Sequence, residues 1–334
     1  MSSLSIDGRE LGPGRPCYLV AEIGFNHGGD LELAEDMVAA AAGAGVDAVK
    51  FQTYRADRLV LEAAPHFALI KDGELSLQAH SRLARAAAAR GVHFLSTPYG
   101  RESVDLLERV GVPAYKIASM DLTNHALLGE VAATGKPVLL STGMATLGEI
   151  AEAVATLKDA GNTQVVLLHC ISKYPAPPET ANLRTIGQLA GEFGLPVGYS
   201  DHVLGPVAAL GAVALGACVV EKHFTTDKSL PGPDHKISAD PAEMGRLVRD
   251  IRSLEAALGR RAADAQRPDR AEASQFRRSL FAAVDIPAGT AITAAMVKCV
   301  RPGDGLPPKQ LGQVIGRVAR AHIAREAPIS LESF

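Results

Sequence analysis

The chain has 334 residues, with 34 Lys+Arg against 37 Asp+Glu and a formal charge of −3. With 47% hydrophobic and 21% charged residues, it has the apolar mass for a large core, and its length suits about two domains, or one barrel-sized domain plus a small one. The near-neutral balance, the absence of Trp and an aromatic content of 4% argue against a nucleic-acid binder, which needs a basic face and stacking side chains.

The first residues, MSSLSIDGRELGPGRP, are polar and turn-rich and lack the apolar core of a signal peptide. From Tyr18 to about Gly259, short apolar runs alternate with alanine- and leucine-rich segments of helical period. YLVAEI (18–23) precedes LELAEDMVAAAAGAG, where Asp30 stands as an N-cap; AVKFQT (48–53) precedes LQAHSRLARAAAARG; and HFLST (93–97) precedes ESVDLLERVG. AYKIAS (114–119) is followed by HALLGEVAATG, PVLLST (137–142) by LGEIAEAVATLKDAG, and VVLLHC (165–170) by LRTIGQLAGEFG. PVGYS (196–200), PVAALGAVALGA and CVVEKHF (218–224) complete the series. Several of the helical segments end in Gly, as helix C-termini prefer. The most apolar stretch, Val207 to Val220, is shorter than the roughly 20 residues of a membrane span and reads as a helix running into a strand.

Near-continuous apolar strands, each followed by a helix, imply a parallel sheet covered on its outer face. Eight such units predict an α/β fold, a closed (β/α)₈ TIM barrel. An open doubly wound sheet would favour G-x-G-x-x-G after the first strand, and AEIGFNHGGD is not that pattern. The barrel is assigned residues 1–258. The Arg/Ala/Asp-rich segment 259–275 reads as a solvated linker, and residues 276–334, with Gly and Pro punctuating short β-branched runs, read as a small, mostly β module. The cysteines Cys17, Cys170, Cys218 and Cys299 lie far apart without a C-x-x-C pair. That argues against structural zinc and a disulfide framework and fits a reducing compartment; with the polar first residues and the short apolar stretch, it predicts a cytoplasmic chain without a membrane partner.

In a barrel, chemistry sits at the C-terminal strand ends, and polar residues concentrate there: Glu22, Lys50 and Gln52, Ser96 and Thr97, Lys116 and Ser119, Ser141 and Thr142, His169, Ser172 and Tyr174, Ser200 to His202, and Glu221 and His223. One buried barrel lysine is readily a satisfied structural group. A polar end on all eight strands is a site. Alternation points Lys50 with Gln52, and Glu221 with His223. Lys50 and Lys116 with Ser119, Ser141 and Ser200 make a cationic, hydroxyl-rich lining suited to a phosphate and a carboxylate. His202 and His223, at the ends of adjacent strands, are candidate metal ligands. Two imidazoles with open positions and no nearby thiolate suit Mn²⁺- or Mg²⁺-type chemistry better than closed zinc. Cys170 is expected to turn outward as a buried structural thiol.

These residues lie in AEIGFNHGGD, VKFQT, FLSTP, YKIAS, LSTGM, LHCISKYPAP, GYSDH, EKHFT and PGPDH, an ordered set that resembles the N-acetylneuraminate (sialic acid) synthase family, including pseudaminic and legionaminic acid synthases. The C-terminal part, with CVRPGDG, resembles the family's antifreeze-like (SAF) domain. The resemblance implies condensation of phosphoenolpyruvate with an open-chain acetamido sugar such as N-acetylmannosamine, a divalent metal (Mn²⁺ first, with Mg²⁺ or Co²⁺ as substitutes) and a domain-swapped homodimer. Carried over by motif, it implies Lys50, Thr97, Lys116, Ser119, Ser141 and Ser200 around phosphoenolpyruvate and His202 and His223 on the metal. Glu221 would sit beside the metal, with Glu22, Tyr174, Asp234 and Arg301, the last from the other subunit, around the sugar. Gln52 and Ser172 complete the expected substrate-binding set. Sialic acid synthases often have Asn where this chain has Ser172, and S-x-YPAP is closer to synthases of the pseudaminic, legionaminic or spore-coat type, which would take a 2,4-diacetamido-trideoxyhexose. Two other readings compete. A barrel acting on a phosphorylated aldose would need further arginines at the strand ends, and a non-catalytic sugar-binding barrel would have lost the lysines or histidines, which are all present.

Overall fold

The apolar runs become strands because each can be covered on both faces, by its neighbours inside the barrel and by a helix outside. The computed structural model describes residues 4–259 and 269–334, and the chain divides into two units, Met1–Gly259 and Arg260–Phe334. The first opens with an antiparallel hairpin of β1 (Leu4–Ile6) and β2 (Arg9–Leu11). There follow β3 (Tyr18–Gly24), α1 (Leu31–Ala44), β4 (Ala48–Thr53), the short α2 (Ala56–Leu59) and α3 (Phe67–Asp72), α4 (Leu77–Ala88), β5 (His93–Pro98), α5 (Arg101–Val110), β6 (Tyr115–Ile117) and α6 (His125–Ala132). The unit continues with β7 (Val138–Ser141), α7 (Leu147–Asp159), β8 (Val165–Cys170), α8 (Thr185–Phe193), β9 (Val197–Asp201), α9 (Val207–Ala214), β10 (Val219–His223) and α10 (Pro241–Leu258). Strands β3 to β10 pair in parallel, in chain order, and β10 closes on β3.

Local signals mark the helix ends. Asp30 caps α1 by accepting from the backbone N–H groups of Glu32 and Leu33, and α1 stops at Gly45, whose φ of 89° suits glycine. Thr146–Glu149 and Asp240–Glu243 form capping boxes on α7 and α10.

Alternation divides the strands cleanly. Tyr18, Val20, Ala48, Leu95, Ala114, Leu139, Val166, Leu168 and Val219 fill the barrel interior. The hairpin adds Leu4, Ile6 and Leu11 to the same cluster, and Arg9 pairs with Asp47 at 2.5 Å, just ahead of β4. The hairpin thus plugs the N-terminal strand ends and leaves the polar ends as the mouth. It was not among the expected elements, although its Asp7-Gly8 turn, with φ of 45° and 80°, is a short-range hairpin signal. Gly198 shows how tight the interior is: a Cβ there would lie 2.6 Å from Leu168 Cδ2 and 2.7 Å from the Val219 carbonyl oxygen.

In the second unit, α11 (Arg270–Phe276) precedes β11 (Ser279–Ala282), which pairs antiparallel with β12 (Val297–Val300), and the short α12 (Leu311–Val314) follows. Isolated bridges Phe281–Pro328, Ile286–Ile323 and Ala291–Val318 extend the pairing. Leu280, Ala282, Ile286, Ile292, Val314, Ala319, Ile323 and Ile329 form its core. Of the expected linker, residues 260–268 lie outside the described residues. Its end is helical, with Asp269 capping α11 through the N–H groups of Ala271 and Glu272. A short helix that buries none of its residues leaves no hydrophobic period to read. No described helix is long and apolar enough to cross a membrane.

Candidate active site

The C-terminal strand ends open into a cavity of about 400 Å³. Its wall contains Glu22, Lys50, Gln52, Thr97, Lys116, Ser119, Ser141, Ser172, Tyr174, Ser200, His202, Glu221, His223 and Asp234. These are all the barrel residues expected to act on substrate or metal; Ser96, Thr142, His169 and Asp201, also expected at the polar strand ends, do not line it. Arg301, the remaining candidate, is in the second unit, exposed just beyond β12, with its guanidinium 5.5 Å from the Phe276 ring centroid. A larger cavity, about 800 Å³, lies beside α4 and α5 at the opposite strand ends, where Arg85, Arg109 and His93 line it. It has no set of buried opposed charges like that of the mouth.

At the floor of the mouth four charges meet out of water. Lys50 Nζ lies 2.6 Å from Glu22 Oε2 and 3.7 Å from Glu221 Oε2, and it donates to Thr97 Oγ1 at 3.1 Å. Lys116 Nζ donates to Glu221 Oε1 at 2.9 Å, as does the Ser200 hydroxyl. Gln52 Nε2 donates to Glu22 Oε1 at 3.3 Å. Two lysines and two glutamates neutralise one another, which is what allows all four to be buried. The two carboxyls are nevertheless unlike. Burial raises that of Glu22 against the pull of Lys50, with the Glu221 charge adding to the rise. Burial would also raise Glu221, but Lys116, Lys50 and the Lys116 and Ser200 hydrogen bonds overcome it and hold the group well below the usual carboxylate range. For Lys50, burial is outweighed by Glu22 and Glu221, which raise its pKa and keep it charged.

Beside this floor stand the two imidazoles, with ring centroids 5.3 Å apart. His202 Nδ1 lies 2.8 Å from the Ile171 carbonyl oxygen. A carbonyl can only accept, so the proton is on Nδ1 and the Nε2 lone pair is free. His223 is pushed down to about 3 by burial and by His202 beside it, so it is neutral at physiological pH. Its buried Nδ1 has no hydrogen-bond partner, and Asp234 Oδ2 is 3.8 Å away. Ser141 Oγ is buried without a hydrogen-bond partner as well, and Glu221 Oε2 also lacks one, with Lys50 Nζ 3.7 Å away. Unsatisfied polar atoms this deep, converging on one cavity, are accounted for by something that binds there.

The residues fit a divalent cation with open coordination positions. They supply two neutral imidazoles, one with its tautomer set by a backbone carbonyl as metal-bound histidines commonly are. Among the described residues, no group of three or more His, Cys, Asp or Glu side chains is arranged to hold a metal ion by itself. Substrate and solvent oxygens would therefore complete the shell, which suits an oxygen-seeking ion rather than a closed zinc site.

One expectation is reversed on β8. Cys170 faces the cavity, 3.9 Å from His202 Nδ1. His169 turns to the outer side, where its Nε2 meets the Ala181 carbonyl at 2.7 Å and its ring packs on Tyr199. Val166 and Leu168 lie in the barrel interior, and period two then puts Cys170 there too. The wall also includes Tyr99, Met120 and Met144, none of which was expected. Tyr99 directly follows the STP motif, a position that signals the site; the two methionines carry no such mark.

A closed parallel barrel whose mouth holds buried lysines, glutamates and paired imidazoles is an enzyme's barrel, built for a small anionic substrate. The chain belongs to the NeuB family, which matches residues 37–263, and residues 277–334 match the SAF domain. It is 41% identical to an N,N'-diacetyllegionaminic acid synthase of Legionella pneumophila, over 94% of each chain. It is 37% identical to a pseudaminic acid synthase of Campylobacter jejuni, over 92% of this chain and 93% of that one. The crystal structure of an N-acetylneuraminic acid synthetase from Leptospira borgpetersenii superposes with a TM-score of 0.77 at 36% identity, covering 81% of this chain and 94% of that one.

Proposed function

We propose that this enzyme condenses phosphoenolpyruvate with the open-chain form of an acetamido hexose, N-acetylmannosamine or a relative, to give a nonulosonic acid and phosphate. The observation that carries the reading is the buried floor, in which Lys50 and Lys116 stand against the two glutamates and are ringed by hydroxyls. There they hold the phosphate and carboxylate, with Thr97, Ser119, Ser141, Ser172 and Ser200 as hydroxyl partners. Ser119 Oγ already accepts from the Gly143 N–H at 3.0 Å, so its own proton is free to point at an anion. Held this way, C3 of phosphoenolpyruvate faces the sugar aldehyde, and positioning supplies much of the acceleration. C3 attacks the aldehyde carbon, water adds at C2, and the C2–O bond to phosphate breaks.

His202 and His223 would hold the divalent cation, Mn²⁺ by preference and Mg²⁺ or Co²⁺ as substitutes. When bound it acts as a Lewis acid toward the aldehyde oxygen. Glu221 is a weak base while Lys116 and Lys50 hold it. Substrate anions that draw the lysines away raise its basicity, so Glu221 accepts the proton of the attacking water only with substrate in place. Glu22, Gln52, Tyr174 and Asp234 face the sugar.

A 2,4-diacetamido-trideoxyhexose as acceptor is the second reading. Ser172 favours it, as do the exposed thioether side chains of Met120 and Met144 at the rim, which suit acetamido and deoxy methyl groups. A phosphate-release assay across N-acetylmannosamine, its 6-phosphate and the 2,4-diacetamido sugar tests both. Phosphate should appear with an unphosphorylated acetamido sugar. Release with none of them would overturn the synthase reading.

The working form is proposed to be a cytoplasmic domain-swapped homodimer, in which Arg301 of one subunit donates to the acyl group of a sugar held by the other. Free cysteines throughout support a reducing compartment. Mixing Arg301→Ala with His223→Ala subunits should restore activity in demonstrated heterodimers, since one intact composite site would form. No recovery would mean that Arg301 serves its own barrel, or none.

A further inference from the structure

One residue from each imidazole lies a second pair of charges, facing away from the cavity. Asp201 precedes His202 at the end of β9 and Lys222 precedes His223 on β10, and alternation turns both to the outer side of the barrel wall. Lys222 Nζ is 2.7 Å from Asp201 Oδ2, with the side chains 7% and 0% exposed. Each partner also bonds the same third residue. Asp201 Oδ1 accepts from the Val203 N–H at 2.9 Å, and Lys222 Nζ donates to the Val203 carbonyl at 2.7 Å. The turn that carries His202 is therefore gripped on both sides by a charge from its own strand and one from β10. The His202 carbonyl in turn accepts from the Ala176 N–H at 2.9 Å, which ties the segment holding Tyr174 to the same turn.

Stability is a poor account of this pair, because an apolar pair of similar volume is commonly as stable as a buried ion pair, or more so. Geometry is a better one. The His202 ring is oriented through the Ile171 carbonyl, whereas His223 Nδ1 has no hydrogen bond to set its ring. The separation of the two imidazoles must then come from the backbone of β9 and β10, and the Asp201–Lys222–Val203 clamp is what joins those backbones just behind the rings.

We propose that Asp201 and Lys222 are positioning residues that hold His202 and His223 at the spacing a divalent cation requires. The proposal rests on the reading of those histidines as metal ligands. Single removal of Lys222 would strand a buried carboxylate, so the informative variant is the double Asp201→Leu/Lys222→Met, which leaves no lone charge. Metal-stripped protein is titrated with Mn²⁺, free Mn²⁺ is followed by electron paramagnetic resonance, and thermal unfolding is recorded in chelator. The double variant should unfold close to wild type yet bind Mn²⁺ about 10–100-fold more weakly, the range seen when partners of metal ligands are removed. Asp201→Asn, which keeps an acceptor for the Val203 N–H but weakens the bond to Lys222, should fall between the two, and it carries the test if the double variant does not fold. Wild-type Mn²⁺ affinity in whichever of these variants folds overturns the proposal, provided His202→Ala has lost binding. If wild-type protein binds no Mn²⁺, or His202→Ala binds it undiminished, the metal reading itself falls and the clamp has nothing to position.

Discussion

Lys116→Ala is expected to raise the KM for phosphoenolpyruvate tenfold to a hundredfold and to destabilise the barrel at the same time. The first effect follows from losing a charge-assisted contact to a buried anion, which contributes about 1.5–3 kcal/mol. The second follows from what stays behind. Lys116 provides the 2.9 Å partner of Glu221, and without it Glu221 retains only the Ser200 hydroxyl at 2.9 Å and Lys50 at 3.7 Å. Breaking a buried pair from one side costs about 3–5 kcal/mol, because the surviving charge is uncompensated. Urea unfolding and steady-state kinetics separate the two effects. Adding Glu221→Gln should restore much of the stability without restoring turnover, since the neutral amide needs no cation and can no longer take a proton. A rise confined to the KM of the sugar would assign Lys116 to the other subsite.

What could be read in advance depended on contrast. Lys50, Lys116 and Glu221 are conspicuous because a charge inside an otherwise apolar strand must be paired or functional. The barrel itself is written in the alternation of short apolar runs with helical segments, and the helix ends in residues such as Asp30 and Gly45. Where both faces of a strand are apolar, contrast disappears. VVLLHC offers no polar side to fix its phase, so the more conspicuous His169 was assigned to the mouth and Cys170 to the shell, the reverse of their places. The β1–β2 hairpin escaped notice because its strands have three residues each. Tyr99, Met120 and Met144 reach the wall from just beyond the strand ends, where no period sets their direction. The clamp behind the histidines was equally hidden. Asp201 and Lys222 stand in view within GYSDH and EKHFT, but their pairing depends on the register that sets Lys222 opposite Asp201 across β9 and β10.

His202→Ala and His223→Ala should each abolish condensation, as should removal of divalent metal from the native protein. The barrel offers two imidazole donors, both neutral: burial lowers His202, and burial with His202 beside it lowers His223 to about 3. Neutral nitrogens are the form that binds a cation, so affinity should not be limited by imidazole protonation at neutral pH. With only two protein nitrogens available, loss of either one halves the protein's share of the shell. The effect should therefore exceed the roughly 10–100-fold that follows loss of a residue merely supporting a ligand. Dialysis against EDTA should remove activity, and Mn²⁺ should restore it better than Ca²⁺, whose larger shell of 6–8 oxygens is poorly served by imidazole. Structural damage is a competing explanation for the variants, and chelator tests it directly. Stripped of metal, His202→Ala sets its own baseline, lowered by its lost hydrogen bond to the Ile171 carbonyl and its lost packing on the Tyr174 ring, whose centroid is 4.1 Å away. Adding Mn²⁺ should then raise the midpoint of wild type alone, as preferential binding to the folded state requires. Full activity of chelated, metal-free His202→Ala would remove the metal from this enzyme's chemistry and leave the lysines and glutamates of the floor to carry the reaction.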